Sequence, residues 1–419
     1  MSEAIQSLRG MNDILPPHSS RRARLLQIIR QLLQQFGYLP AELPLLEKTQ
    51  LFKRTIGGET DIVSKEMYSF DDRNQESITL RPEATAGAVR AMIENGRLQQ
   101  ITRLFVEGPM FRYEKPQEGR SRQFTQVSVE CFGLANPSLD AELIAIGHEL
   151  FTQLDIREVV SLEINSIGLA AERKAYQAAL VQFLSAHIED LDEDSKRRLQ
   201  TNPLRILDSK DAKTQEILNQ APLLHDYLGE ESKAHFAQVC GILEKLGIAY
   251  HINPRLVRGL DYYCHTVFEW TTRELGAQGT ICAGGRYDGL VEQLGGKTTP
   301  AAGFAFGIER IFMLWENMHP IDMSYPDIYI LATGIEEQAE AIRWAMEIRR
   351  ARPDWQIIVH HQLQALKKQF AKADAAQARF VLVFGSEEVQ QGLATLKNLA
   401  TGEQQQLDLA AVIAMNIEE

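Results

Sequence analysis

The chain has 419 residues, 44% hydrophobic and 24% charged, the balance of a folded globular protein of two or three domains rather than a disordered or fibrous one. Its net charge of −12 at pH 7 excludes attachment to nucleic acid through bulk basicity, so any such partner must be met by a local patch. The four cysteines, Cys131, Cys240, Cys264 and Cys282, stand far apart with no paired metal-ligand spacing and read as free thiols of a reducing cytosol.

The opening MSEAIQSLRG has no apolar run behind a basic one, and no apolar run anywhere approaches the ~20 residues of a membrane span. A cytoplasmic protein away from membranes is therefore expected. Residues 1–20 end in the polar, Pro-rich MNDILPPHSS, a loop. Ser19 or Ser20 is placed to cap a helix over RRARLLQIIRQLLQQFG, in which Leu25, Ile28, Ile29, Leu32, Leu33 and Phe36 form one apolar stripe ending at Gly37. The next stretch, YLPAELPLLEKTQLF, reads as extended, and Pro44 restricts it to an edge strand or the beginning of one. EMYSF and SITLRP form a hairpin pattern joined by DDRNQE. Pro82 suits the first turn of a helix over EATAGAVRAMIENG, closed by Gly96, which puts Glu83 and Thr85 at the helix N-terminal end. An acid is favoured there by the helix dipole alone; a carboxylate and a hydroxyl together also suit an ammonium group.

Residues 103–132 hold two strand-like runs around a polar loop from Glu114 to Ser121. Alternation sets Gly108, Met110 and Arg112 on one face of the first strand. On the second it sets Phe124, Gln126, Ser128, Glu130 and Phe132 together. Taken alone, this describes an exposed sheet face as readily as the floor of a polar pocket. From 139 to 245 the chain is mostly helical, with breaks at VSLEINSIG and near NPLRILDS; 139–155 reads as a helix of the main domain and about 170–245 as an inserted helical subdomain. Strands resume at AYHINPRLVRGLDYYCHTVFEWTTR and GTICAGGRYDGL, and AAGFAFGIERIFMLWENM passes from strand to helix. Beyond Asp322 strands alternate with helices in an α/β pattern carrying 9 Lys and Arg against 14 Asp and Glu, a separate small domain that is not a basic arm.

The usual nucleotide, hydrolase and zinc motifs are missing: GGKTT at 295–299 lacks the first glycine of a phosphate loop, where Val291 stands. Three arginines stand out instead: Arg112 in strand-like sequence, Arg258 in RLVRGLDYY and Arg310 after GFAFGIE. A guanidinium matches phosphate and carboxylate oxygens, so three converging on one site would hold a triphosphate without a glycine-rich loop. The plainer alternative pairs each with a nearby acid: Glu114, Asp261 and Glu309. Tyr262, Tyr263 and Tyr287 add hydroxyls, and Gly284 and Gly285 permit close backbone approach. The residues alone permit an anion-binding, ring-recognising cleft on an antiparallel sheet and name no reaction.

GPMFRYEKPQEGRSRQF resembles motif 2 of the class II aminoacyl-tRNA synthetases, GFAFGIERIF resembles their motif 3, and the segment around Pro44 their motif 1. RLVRGLDYYCHTVFEW and CAGGRYDGLVEQLGG resemble the two histidine-site segments of the histidyl-tRNA synthetase family; LRGMNDILPP, LFKRTIGGETDIVSKEMYSF and ITLRPEATAG match as well, so the likeness runs from Ser7 to the tail. It implies an α+β catalytic domain built on an antiparallel sheet with a helical insertion (residues 1–325), followed by a C-terminal α/β anticodon-binding domain (326–419). It implies ATP-dependent activation of L-histidine and transfer to histidine tRNA, with ATP and its Mg2+, in a homodimer. Arg112 corresponds to the arginine at the ATP α-phosphate and substrate carboxylate, Arg310 to the one at the γ-phosphate, and Arg258 to the one stabilising charge as the carboxylate attacks. Histidine falls to Glu83, Thr85, Gln126, Glu130, Tyr262, Tyr263 and Tyr287, with Glu130 and Tyr263 for the ring and Glu83, Thr85 and Gln126 for the amino group. Leaving Glu130 buried and unpaired would then reject other amino acids. Lys115, Gln117, Arg120 and Arg122 correspond to the loop that meets the tRNA acceptor end. Lys115 stands where an arginine is common, Ala84 where a glycine is frequent, and Cys264–His265 where polar and basic residues are usual; HHQLQALKKQF lacks a Gly-rich stretch. The alternative within this likeness is a catalytically silent regulatory subunit of ATP phosphoribosyltransferase.

Overall fold

The computed structural model describes residues 5–57, 60, 62–258, 260, 262–276, 279–320 and 325–416, in two compact units, Met1–Ile321 and Asp322–Glu419. The first unit opens with α1 (His18–Gln35), which buries Leu25, Leu26, Ile29, Leu32 and Leu33. Neither Ser19 nor Ser20 caps it. Pro17 occupies the cap position with near-helical dihedrals, so the turn starts at His18 and both serines lie within it. The chain continues through β1 (Leu39–Pro40), β2 (Leu46–Lys48), α2 (Thr49–Ile56), the hairpin β3 (Tyr68–Asp71) and β4 (Ser77–Leu80), and α3 (Thr85–Glu94). Pro44 falls in the loop between β1 and β2 and belongs to neither strand. Pro82 precedes α3 instead of occupying its first turn, because the Glu83 side chain takes over the start of the helix: it accepts the N–H groups of Thr85 at 2.6 Å and Ala86 at 2.9 Å.

Next come β5 (Thr102–Phe111), β6 (Gln123–Phe132), α4 (Pro137–Gln153), β7 (Val160–Ser166), α5 (Ala170–Ser185), α6 (Glu193–Thr201), α7 (Ala212–Leu218) and α8 (Glu230–Lys245). The unit closes with β8 (His251–Ile252), β9 (Cys264–Thr272), β10 (Thr280–Arg286), α9 (Leu290–Gln293), β11 (Ala301–Gly307) and α10 (Ile308–Met318). NPLRILDS holds the 3₁₀ segment Pro203–Asp208, with Ile206 and Leu207 buried among the insertion helices. The insertion is also shorter than expected. Phe236, Val239 and Leu243 of α8 are buried in the main core with α1 and α4, although the helix has the same mixed composition as its neighbours.

Eight strands form one sheet in the order β1-β5-β6-β11-β10-β9-β7-β8, antiparallel except for the short outer pairs β1–β5 and β7–β8. Alternation sorts its two faces. Val127, Val129 and Cys131 of β6 and Ala302, Phe304 and Phe306 of β11 go to the side covered by α1, α4 and α8. The opposite side carries a row in register: Glu130 beside Gly303, Gly303 beside Gly285, Gly285 beside Val267. A β2-β4-β3 sheet stands apart from it.

At the end of β10, Arg286 is fully buried, pairing with Asp140 of α4 and with Asp288, and donating to the Leu134 carbonyl at 2.9 Å. Asp140 also pairs with His235 of α8 at 2.7 Å, so one charge network pins two helices to the sheet.

The second unit contains β12 (Ile328–Ala332), α11 (Ile335–Ala351), β13 (Ile357–Val359), α12 (Leu366–Ala375), β14 (Phe380–Phe384), α13 (Ser386–Gln391), β15 (Ala394–Asn398), β16 (Gln404–Leu407) and α14 (Leu409–Ala414). Its sheet runs β13-β12-β14-β15-β16, parallel for the first three strands and antiparallel after them. All five residues of β12 are buried, as a strand covered on both faces requires.

Arg286→Met removes the cation from the buried Asp140 carboxylate, a loss of about 3–5 kcal/mol. The thermal unfolding midpoint is expected to drop by roughly 5 °C or more; a midpoint within about 1 °C of the unmodified protein would show that the network does not pin the sheet.

Candidate active site

The site is built around the segment Arg81–Pro82–Glu83. Arg81 is 4% exposed, donates to the carbonyls of Pro109 at 3.0 Å and Leu43 at 3.2 Å, and crosses Gly108, where any Cβ would run into its guanidinium. Arg112, just past β5, donates from Nε to the Pro82 carbonyl at 2.9 Å. Clamped between two arginines, this segment delivers Glu83 to the start of α3 and sets Thr85 beside the sheet.

There Thr85 donates its hydroxyl to Glu130 Oε1 at 2.7 Å, and the Tyr287 hydroxyl donates to Oε2. Glycine makes this possible: a Cβ at Gly303 would overlap Glu130 Oε2, and one at Gly285 would lie 3.0 Å from the Tyr263 ring. Tyr262, Tyr263 and Tyr287 are all buried, with ring centroids 4.7, 5.6 and 6.3 Å apart. Burial pushes the Glu130 carboxyl up to about 8; the nearby Glu83 adds to this, while the two hydroxyl bonds oppose it. Burial raises Glu83 too, against its N–H bonds and the Arg112 charge. Glu130 is not unpaired, as the sequence suggested, since both oxygens already accept hydroxyls. Each carboxylate oxygen keeps further acceptor capacity.

Alongside lies a cavity of about 140 Å³ lined by Arg112, Arg120, Arg310, Phe124, Gln126 and residues 280–283 of β10. Gln126 Oε1 is buried there without a hydrogen-bond partner among the described residues. Arg112 lies over the Phe124 ring at 5.2 Å and 4.0 Å from Glu114, and Glu114 pairs with Arg120 at 3.0 Å. Arg310 donates to the carbonyls of Gly119 at 3.2 Å and Thr280 at 2.6 Å; burial and then the Arg120 charge lower its pKa. This is a concentration of positive charge in an acidic protein.

Of the two acids suggested as simple partners that lie among the described residues, Glu114 stands near its arginine and Glu309 does not. Glu309 turns from Arg310 to the Thr125 N–H, at 2.9 and 3.0 Å, and to Arg22 at 3.1 Å, because it lies in the first turn of α10 against β6. Asp261 lies outside the described residues, and Arg258 pairs with Glu269 of β9. Arg258 stands 5.7 Å from the Tyr263 ring and lines a neighbouring cavity of about 200 Å³, not the one shared by Arg112 and Arg310. In the loop, Lys115, Gln117 and Arg120 are exposed. Arg122 is half-buried: its guanidinium lies over the exposed Tyr113 ring at 3.8 Å, and its backbone N–H donates to the Gly10 carbonyl.

A family model for histidyl-tRNA synthetase matches residues 10–311, and one for an anticodon-binding domain matches residues 327–419. The chain belongs to the histidyl-tRNA synthetase family. The crystal structure of apo S. aureus histidyl-tRNA synthetase is 35% identical, with a TM-score of 0.80 over 98% of this chain and 99% of that one. Two structures at 20% identity share the fold. A histidyl-tRNA synthetase from Nostoc sp. has a TM-score of 0.69 over 98% of each chain. An ATP phosphoribosyltransferase regulatory subunit/histidyl-tRNA synthetase from Bacillus halodurans has 0.65 over 92% of this chain and 99% of that one. The family's antiparallel catalytic sheet and separate C-terminal anticodon-binding domain are the architecture described above. Two residues central to this site's geometry are absent from the sequence-based set. Glu269 is an acid set between the large apolar Phe268 and Trp270 in β9, and Arg81 a cation directly after β4; each stands out in sequence, but its partners do not.

Because the folded Glu130 carboxyl titrates near 8 and an unfolded one near 4.3, its contribution to stability is complete below about pH 4 and is lost as the pH rises towards 8. From pH 5.5 to 8.5 the ligand-free protein should therefore lose more thermal stability than Glu130→Gln, which has no proton to release. Equal losses would place the Glu130 titration elsewhere.

Proposed function

We propose that this chain is an ATP-dependent histidine–tRNA ligase. In the first step a histidine carboxylate oxygen bonds to the ATP α-phosphorus and pyrophosphate leaves, giving histidyl-adenylate. In the second, a hydroxyl at the 3' end of histidine tRNA attacks the carbonyl and AMP leaves. The observation carrying this reading is the convergence of Arg112, Arg310 and Gln126 on one cavity beside the buried Glu130–Thr85–Tyr287 cluster. The nucleophile is already ionised, so no general base is needed; the site's task is alignment and stabilisation of charge on the phosphate oxygens. Arg112 and Arg310 hold the triphosphate, and Arg258 meets the charge developing at the α-phosphate. Magnesium enters with ATP as part of the substrate. The acids lining the cavity, Glu114 and Glu309, are engaged by Arg120 and by Arg22 with the Thr125 N–H.

Histidine occupies the cluster of Glu83, Thr85, Gln126, Glu130, Tyr262, Tyr263 and Tyr287. The unpartnered Gln126 oxygen suits the ammonium group. With a pKa near neutrality, Glu130 offers either a donor or an acceptor to the two ring nitrogens. Lys115, Gln117 and Arg120 project from the loop to the tRNA acceptor end, and the second unit binds the anticodon. Exposed Leu39, Leu45, Leu46 and Phe70 around the Pro44 segment support a homodimer, assigned to the cytoplasm.

The second reading is a silent regulatory subunit of ATP phosphoribosyltransferase, favoured by the likeness to the B. halodurans structure. Against it stand the presence of all three arginines and the higher identity to the S. aureus synthetase. Histidine-dependent exchange of pyrophosphate into ATP separates the two. The ligase shows exchange, and Arg258→Ala reduces it on the order of 100-fold or more. Exchange that survives intact in Arg258→Ala removes the role given to Arg258, while absence of both exchange and tRNA charging in the unmodified protein supports the regulatory reading.

A further inference from the structure

Arg258 is held by an acid of the following strand, Glu269 of β9. Its guanidinium NH1 bonds Glu269 Oε1, and the other Glu269 oxygen accepts the Thr280 hydroxyl at 2.9 Å. The Thr280 carbonyl in turn accepts Arg310 NH1 at 2.6 Å, and Arg310 Nε reaches Gly119 in the hairpin loop. Glu269 therefore sits between the two arginines assigned to opposite ends of the triphosphate. It bonds one directly and reaches the other through Thr280, from two adjacent strands whose register places Glu269 beside Ala283. Both members of the Arg258–Glu269 pair are largely buried, with side chains 16% and 17% exposed. Arg258 Nε is buried and has no hydrogen-bond partner among the described residues.

A five-donor fork held at one end by a carboxylate is fixed in direction and keeps its remaining N–H groups for a ligand. Without that anchor, a long arginine beside an aromatic face has many rotamers and stacks on the ring. We infer that Glu269 is a positioning residue of the adenylation step: it aims Arg258 at the reacting phosphate and, through Thr280, ties that aim to the placement of Arg310. The inference rests on the ligase reading above. Glu269 lines neither the cavity of Arg112 and Arg310 nor that of Arg258, and its effect passes through the two arginines. Because the anchor matters chiefly once charge has developed on the phosphate, its loss falls on kcat more than on the KM for histidine.

The test is pyrophosphate exchange by the full-length protein with Glu269→Ala, Glu269→Gln, Thr280→Val and the double variant Arg258→Ala/Glu269→Ala. Glu269→Ala should lower kcat on the order of 10- to 100-fold while the histidine KM stays within about threefold. Glu269→Gln keeps an oxygen acceptor for Arg258 and should recover most of that loss. Thr280→Val should show a smaller loss. The double variant should be slower than Arg258→Ala alone by no more than the Thr280→Val loss, the part of the effect that passes through Arg310. Losses that multiply in the double variant, a Glu269→Ala kcat within twofold of normal, or a Glu269→Gln variant as poor as Glu269→Ala with an unchanged melting temperature would each overturn the assignment. Absence of exchange in the unmodified protein instead overturns the adenylation reading, and this role with it.

Discussion

A carboxyl group 1% exposed in the middle of a sheet is costly, and the surroundings of Glu130 are arranged to hold it there. Gly303 clears space for it on the neighbouring strand, Gly285 makes room for the Tyr263 ring, and Thr85 and Tyr287 occupy its two oxygens. The helix carrying Thr85 is in turn started by Glu83, which is placed by the clamp of Arg81 and Arg112 on either side of Pro82. One buried acid thus accounts for a glycine on the neighbouring strand and for the hydroxyl brought to it by the start of α3. Moving any of these would leave a buried polar group without its bond.

The adjoining cavity follows a different logic. An acidic protein gathers Arg112, Arg120 and Arg310 within one small space, with Glu114 as the carboxylate between two of them. Clustered like charges in a partly buried site oppose one another, which is why Arg310 is pulled down by Arg120 and Arg112 as well as by burial. An anion placed there would relieve that repulsion. The site is in this sense prepared for an anion, at a place where the chain as a whole would repel one.

Much of this could be read from the residues in order. The apolar stripe of α1, the alternation along β6 and the helix-strand alternation after Asp322 depend on neighbours in sequence, and local periodicity reports them well. The face of β6 bearing Gln126 and Glu130 was ambiguous because alternation gives sidedness but not what covers each side. α8 was placed in the insertion because helices of the core and of the insertion share one composition here; only packing separates them. Arg310 departs from its expected pairing for a related reason. An adjacent acid such as Glu309 belongs to the start of its own helix, whereas Glu269 of β9 reaches back eleven residues to Arg258 in the segment before that strand. Long-range pairs are set by register, and register is not visible in a single strand.

The central claim is that the buried acid cluster and the arginine cavity form one adenylating site. It is tested most directly by incubating the protein with histidine, labelled ATP, magnesium and pyrophosphatase without tRNA, then isolating the protein and quantifying what it retains. The account predicts close to one histidyl-adenylate per active site. Retention of histidine with no adenylate formed would contradict it.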